Sequence, residues 1–401
     1  MPKRLTIREN DLKSIGKLIM VPKRSRIYFL VNYFLLTSAT YARKLTKQET
    51  QIVKNVEKNN KEAIRFLEQT VKINSGSRNV TGEKKVGVIY QNMLQEMGFT
   101  TKWIDMPESM GRGGHLVAEI KGAKGKKLLL NGHMDTVFDL DSPFQKWELK
   151  DTIATGPGTN DDKGSIMVML YALKALKEAG QLKDRQIIIV LHGDEESVGN
   201  PVEISRKDLI AAAKRSDVAL CFESGRGYDY ATIARRSSSN WTLKVSAKQS
   251  HSGRIFSETA GAGAIYETAR ILNSFYNELK EEYRTFNPGT MVAGSEITLD
   301  STHNKATTTG KSNIIAITSM VKGDLRFISE EQKERARQKM REIVAQSLPH
   351  AQANISFEDG YSAMPPTAGN KNLLGVLDKV SQDLGQGGVK AYDPGQRGAA
   401  T

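Results

Sequence analysis

Cysteine is almost absent from this 401-residue chain. Cys221 stands alone, so no disulfide can close within it. It sits in the apolar run Val218–Phe222 with no charged neighbour to depress its pKa, and it reads as a buried structural thiol rather than a nucleophile. Long hydrophobic runs are missing too: the N-terminal stretch Ile27–Leu36 is too short for a comfortable membrane span. There is no arginine–aromatic stripe and no recognisable nucleic-acid module, so the formal net charge of +13 does not read as a polyanion footprint. Much of that excess sits in residues 1–26, where eight basic side chains face two acidic ones. No internal repeat or low-complexity tract stands out. The rest, 39% hydrophobic and 26% charged, is ordinary for a soluble globular protein, and the length suggests two domains.

The N-terminus has a distinct order. Lys23, Arg24 and Arg26 precede the apolar stretch, and small residues follow as far as Ala42. That order reads as a secretory signal over 1–42, cleaved near Ala42, which places the protein in the periplasm or outside the cell. The rival is an uncleaved anchor, which would bring a membrane into play, or a segment that is not a signal, which would leave the protein in the cytoplasm.

Beyond it, apolar periodicity predicts helices over 46–72, 84–97 and 164–179, and strands over 100–104, 115–121, 128–130, 187–191 and 218–222. The last three are continuous apolar runs, as expected of strands covered on both faces in an α/β sheet. From about Asn240 the texture changes. Strands over 241–247, 296–299, 314–322, 325–328 and 353–357, with helices over 262–279 and 330–347, suggest a smaller two-layer α/β module, and a helix over 371–384 resumes the first domain.

Four short stretches at the ends of apolar runs carry the chemistry: Gly132–Asp135, Gly156–Asp161, Asp194–Glu196 and Phe222–Ser224. They concentrate imidazole and carboxylate groups where an open α/β sheet binds ligands, at the carboxyl ends of its strands. His133 and Asp135 are two apart, so in extended geometry they face one side, and one can ligate a metal while the other orients it. The glycines around Gly156–Asp161 suit a phosphate loop as well, but no strand is predicted to feed it. Adjacent Glu195 and Glu196 project differently, so one carboxylate can bind metal while its neighbour takes a proton from water. Glu223 repeats the strand-end placement. His192 lies within a predicted strand and reads as structural, and His115, His303 and His350 match no ligand position.

On these four ordered motifs, the chain from about Thr46 to Ala400 resembles the dinuclear zinc peptidases that include glutamate carboxypeptidases, aminoacylases and succinyl-diaminopimelate desuccinylase. The resemblance implies an α/β fold: a catalytic domain with a central mixed sheet flanked by helices (43–238 and 358–401), interrupted by a two-layer lid and dimerisation domain (239–357). It implies two zinc ions, replaceable by cobalt or manganese, with His133, Asp161, Glu196 and Glu223 as ligands and Asp161 bridging. Glu195 resembles the general base and Asp135 the carboxylate behind His133. In the second module His251 matches a histidine that holds the oxyanion in a neighbouring subunit's site, which implies a homodimer; Asn313 and Arg326 resemble substrate contacts. The implied substrate is a peptide or N-acyl amino acid cleaved at an amide next to a free carboxylate.

The family's last ligand is a histidine downstream of a glycine- and aspartate-containing loop, and Gly395–Thr401 resembles the approach to that loop. The chain is therefore expected to be a C-terminally truncated member. Two readings stand side by side: a zinc hydrolase of glutamate carboxypeptidase or deacylase type, and an impaired remnant that dimerises or binds peptides. A nucleic-acid binder driven by the basic excess is the weakest reading.

Overall fold

A run such as Ile187–Leu191 has no polar face, so it is stable only with apolar partners on both sides, and the fold supplies them. In the computed structural model, residues 43–225, 227–300 and 305–396 are described; the expected signal segment (1–42), His303 and the last five residues lie outside them. Residues from Lys44 onward form one compact unit. The elements are α1 (Lys47–Val71), α2 (Val80–Glu96), β1 (Thr100–Ile104), β2 (His115–Lys121), β3 (Lys124–His133), β4 (Glu148–Lys150), β5 (Ile153–Thr155), α3 (Lys163–Glu178) and β6 (Arg185–His192). Then come α4 (Val202–Ser205), α5 (Lys207–Lys214), β7 (Val218–Cys221), β8 (Tyr230–Ala231), β9 (Ser237–Ala247), α6 (Gly263–Glu278) and β10 (Thr285–Gly294). The order closes with β11 (Glu296–Leu299), β12 (Ala306–Thr309), β13 (Thr318–Phe327), α7 (Glu330–Ala345), β14 (Ala351–Asp359), α8 (Ala368–Asp383) and β15 (Lys390–Ala391).

The first sheet runs β1-β2-β6-β3-β7, with β6, β3 and β7 mutually parallel and β1 and β2 antiparallel. This is the mixed sheet the resemblance implied. Ile187, Ile189 and Leu191 of β6 face a core shared with Val86, Tyr90 and Leu94 of α2 and Ile166, Leu170 and Leu173 of α3. Ile188 and Val190 face the other side, against Leu129 and Ala212 of α5. β7 departs from expectation. Among the described residues β3 is its one neighbour in the sheet, and Ala219, Leu220 and Cys221 are exposed. Cys221 is thus not a core residue, although the protein around its sulfur still pushes the thiol pKa up, which keeps it a poor nucleophile.

The second sheet runs β10-β13-β9-β14, all antiparallel. One face, with Trp241, Leu243, Val245, Val321, Leu325 and Phe327, packs on Ala264, Ile271 and Phe275 of α6 and on Ala336, Met340 and Ile343 of α7. Alternate residues such as Lys244, Asn354 and Ser356 are exposed, as a one-sided sheet requires. The sequence predicts two strands where β13 is one, because Gly323 reads as a break. Here Gly323 is where Trp241 packs: a Cβ would lie 2.3 Å from the indole. β10 went unpredicted because Pro288-Gly289 interrupts it; as an edge strand it absorbs them in a register shift between Pro288 and Thr290. Among the described residues no helix is long and apolar enough to cross a membrane.

Candidate metal centre

Because β6, β3 and β7 are adjacent and parallel, their carboxyl ends open on one edge of the sheet, and His133, Glu195–Glu196 and Glu223 lie on or just past those ends. Asp135 organises the junction. Its fully buried carboxylate accepts the Ser77 hydroxyl (2.6 Å) and the backbone N–H groups of both Glu195 and Glu196 (3.0 Å each). It also lies 3.3 Å from His133 Nδ1, which sits 3.1 Å from the Asp135 carbonyl. One carboxylate therefore orients the imidazole and holds the glutamate pair in place.

The chain returns to the site through Gly156–Asp161. Gly158 adopts φ +80°, and a Cβ there would press on Lys163 and Thr136, so only glycine suits the bend. A short strand, β5, precedes this loop, contrary to the reading that none feeds it. It pairs only with β4 in a hairpin outside the main sheet, so the strand–loop–helix geometry of a phosphate loop is not present. Lys163, fully buried at the start of α3, donates from Nζ to the carbonyls of Thr70 (3.1 Å) and Ile73 (2.8 Å), locking the loop to the C-terminal end of α1. Asp161 Oδ1 then meets His133 Nε2 at 2.9 Å.

His133, Asp161 and Glu223 form a set whose ligand atoms all lie within 4.8 Å of one another. Burial opposes charge on His133, but its hydrogen bonds with Asp135 and Asp161 outweigh that and raise its pKa well above the usual value. Burial, then the Asp161 carboxylate, pushes Glu196 up to about 7. Burial also raises Glu223, reinforced by Asp161 and partly offset by the Ser224 N–H. These are crowded anions around one imidazole, a donor set that a divalent cation would relieve by replacing the proton, so the residues fit a metal. Glu196 is outside the tight set but near enough for the Asp161 charge to act on it.

A second cluster, His115, His192 and Asp194, has similar spacing but does not fit a metal. Asp194 is bound by Arg206 Nη1 (2.6 Å), Ser205 Oγ (2.5 Å) and the Gly199 N–H (2.8 Å). His115 donates from Nε2 to the Ser205 carbonyl and accepts the Gly193 N–H at Nδ1. A cation here would have to displace an arginine. His192, at the end of β6, is hydrogen-bonded to Asn131.

Two residues of the site went unnoticed in the sequence. Asp162 is fully buried, accepts the His133 backbone N–H (3.1 Å) at Oδ2, and leaves Oδ1 without a partner; burial lifts its pKa to about 7. Its signal was the acidic doublet Asp161-Asp162, which parallels Glu195-Glu196. Glu83 of α2, also fully buried, accepts the Gly113 N–H (2.7 Å), and its Oε1 has no partner. Burial and the Asp135 charge push it up to about 9. From the ordinary glutamate range up to that value the folded protein holds a proton that the unfolded chain has released. The Glu83 contribution to stability therefore falls as pH rises across the window. Glu83→Gln keeps the acceptor and removes the titration. Relative to wild type it should gain roughly 2–4 kcal/mol between pH 5 and pH 8.5 in denaturant titrations. Parallel pH profiles for the two proteins would refute this.

The remaining expected site residues lie in the second sheet or in loops beside it. Exposed His251 accepts the Gly253 N–H at Nδ1 (3.1 Å) and bridges to Ile314, and the Asn313 carbonyl accepts the Ser252 N–H (2.9 Å), so these two loops are joined. Arg326 pairs with Ser238 at the other end of β13, and its Nε donates to Asp324 Oδ2 (3.0 Å). The strand between, Thr318 to Arg326, is about 26 Å long at ~3.3 Å per residue. Arg326 is therefore at the end where β9 begins, near the bridge between Arg235 and Met364, and His251 is at the far end. One chain does not bring His251 and Asn313 together with Arg326.

A family model described as Peptidase family M20/M25/M40 matches residues 129–401. Carboxypeptidase G2 of Pseudomonas sp. (strain RS-16) is 29% identical over 321 residues, covering 78% of this chain and 71% of that protein. A probable succinyl-diaminopimelate desuccinylase of Staphylococcus epidermidis is 28% identical over 226 residues, 55% of this chain and 51% of the relative. Among solved structures, aminopeptidase PepT from Bacillus cereus superposes with a TM-score of 0.61 at 17% identity, covering 84% of each chain. Human carnosine dipeptidase 1 superposes at 0.54 and 14% identity, covering 88% of each, and both share the fold.

Proposed function

The chain belongs to peptidase family M20/M25/M40, and from that premise we propose that it is a zinc-dependent hydrolase cleaving an amide next to a free carboxylate, as a glutamate carboxypeptidase or N-acyl amino acid deacylase does. The observation that carries the reading is the convergence of His133, Asp161 and Glu223 beside a glutamate pair hung on the Asp135 carboxylate. His133, Asp161 and Glu223 would hold one ion, and Asp161 with Glu196 a second. When bound, the metal pair supplies Lewis acidity to the scissile carbonyl.

Glu195 takes the proton of the attacking water and delivers it to the departing nitrogen. Asp135 keeps that carboxylate in place through the Glu195 N–H, and Asp162 fixes the backbone from which His133 projects. Arg326 offers paired N–H groups to the substrate carboxylate. Residues 239–357 act as the lid and dimerisation module. Since His251 lies a strand's length from Arg326, His251 and Asn313 serve the site of a second copy, where His251 donates to the oxyanion. The basic, apolar and small-residue order of 1–42 supports export to the periplasm or the exterior.

The test is metal content by mass spectrometry together with hydrolysis of N-acyl amino acids and of peptides ending in glutamate. Zinc-dependent turnover abolished by a chelator and restored by zinc, cobalt or manganese is expected. Zinc-loaded protein that cleaves neither substrate class would exclude the reading.

A further inference from the structure

The segment from Asp194 to Gly199 carries both Glu195 and Glu196, yet it belongs to no helix or strand. Its geometry is therefore set by side chains that reach it from elsewhere in the chain. Asp194 closes its two ends on each other, accepting the Gly199 N–H (2.8 Å) while held by Ser205 and Arg206. Asp135 takes the N–H groups of Glu195 and Glu196. A third hold comes from the loop between the 3-10 turn Glu108–Met110 and β2. Arg112 in that loop donates from Nε to the Ser197 carbonyl (2.6 Å) and from Nη2 to Ser197 Oγ (2.9 Å). Ser197 directly follows the glutamate pair.

Arg112 is itself fixed. Its Nη1 donates to the carbonyls of Met110 and Gly111 (3.1 Å each), so all three guanidinium nitrogens are in use. The next residue ties the loop to two other elements: the Gly113 N–H donates to Glu83 of α2 (2.7 Å), and its carbonyl accepts Trp103 Nε1 of β1 (3.2 Å). The two loops also touch. A Cβ on Gly199 would lie 2.5 Å from Cε of buried Met110 and 3.3 Å from Arg112 Cγ. Arg112 is thus the end of a rigid strut rather than a loose surface arm, and its planar donor fork fixes orientation as well as distance.

We propose that Arg112 is a positioning residue for the reaction: through the carbonyl and hydroxyl of Ser197 it sets where the Glu195 carboxylate stands. Two N–H contacts to the single Asp135 carboxylate act as a hinge, and the Ser197 contacts stop the rotation that this hinge leaves open. A general base displaced by about 1 Å loses about 10²-fold in rate, so a hold one residue beyond the pair matters to turnover without touching substrate. The inference rests on the hydrolase reading above, with Glu195 as its base.

The test compares Arg112→Met, Arg112→Lys and Ser197→Ala in the full chain, at saturating zinc, with N-acetyl-glutamate and a peptide ending in glutamate. Arg112→Met should lower kcat about 10- to 10²-fold and leave KM within about twofold. Lysine supplies a point donor in place of the fork and should recover part of the loss. Ser197→Ala keeps the carbonyl contact and should cost less than Arg112→Met. Hydrogen exchange on a peptic fragment spanning 193–199 reads the loop itself. Its amides should exchange at least about tenfold faster in Arg112→Met, while fragments from β6 and α3 stay at the wild-type rate. A kcat within about twofold of wild type overturns the proposal. A loss that disappears once rates are divided by the folded, zinc-loaded fraction overturns it too, because Arg112 then serves stability alone. If the wild-type protein cleaves neither substrate, the hydrolase reading falls by itself and exchange decides. An unaltered 193–199 fragment then overturns the hold on the loop, and faster exchange confined to that fragment sustains it.

Discussion

Glu195→Gln should lower kcat by about 10²–10⁴-fold while bound metal stays at the wild-type level. The separation of these two readouts follows from the geometry. The His133, Asp161 and Glu223 donors form a set without Glu195, whose N–H donates to Asp135 Oδ1. An amide at this position preserves that backbone contact and the side-chain volume but cannot accept a proton from water. KM should change little, because no substrate-binding role is assigned to the group. Metal analysis and steady-state kinetics on the same sample decide it. A variant that loses metal in proportion to activity would move Glu195 into the ligand set, and one that keeps full activity would remove the general base from the mechanism.

Asp135→Asn should produce the opposite pattern, with zinc affinity falling about 10–100-fold and activity recovering in part at high zinc. The carboxylate is buried and fully used: one hydroxyl and two backbone N–H groups donate to it, and His133 Nδ1 lies 3.3 Å away. Asparagine offers one oxygen for those donors and turns its NH₂ towards others, so at least one buried donor loses its partner at a cost of about 1–3 kcal/mol. Competition with a chelating dye reads the affinity and a thermal melt reads the stability. Unchanged zinc binding would show that the imidazole is oriented without Asp135.

Much of the first sheet was legible because its strands are covered on both faces. Continuous apolar runs such as Leu128–Leu130 and Ile187–Leu191 can only be central strands, and the acidic groups that follow them stand where an open sheet binds ligands. The same logic overreached at Ala219–Cys221, which is apolar yet exposed, because a strand with one neighbour is less covered and composition does not say which strand that is. Local rules also failed where a tertiary contact redefined a residue. Gly323 reads as a strand break until Trp241 lies over it, and Pro288-Gly289 reads as a loop until an edge position makes a missing N–H tolerable.

By itself the amino-acid order determined the fold class, the element types and the candidate donors, because hydrophobic period and strand-end placement are properties of neighbouring residues. Only the tertiary structure decided which donors meet. Strand order β6-β3-β7 brings Glu223 to His133 across 90 positions of chain, sets Asp135 beneath the Glu195–Glu196 backbone and buries Asp162 and Glu83 beside them. It also separates His251 from Arg326 by the length of β13. Such pairings follow from packing between distant segments, and each stretch of sequence taken alone is equally compatible with several of them.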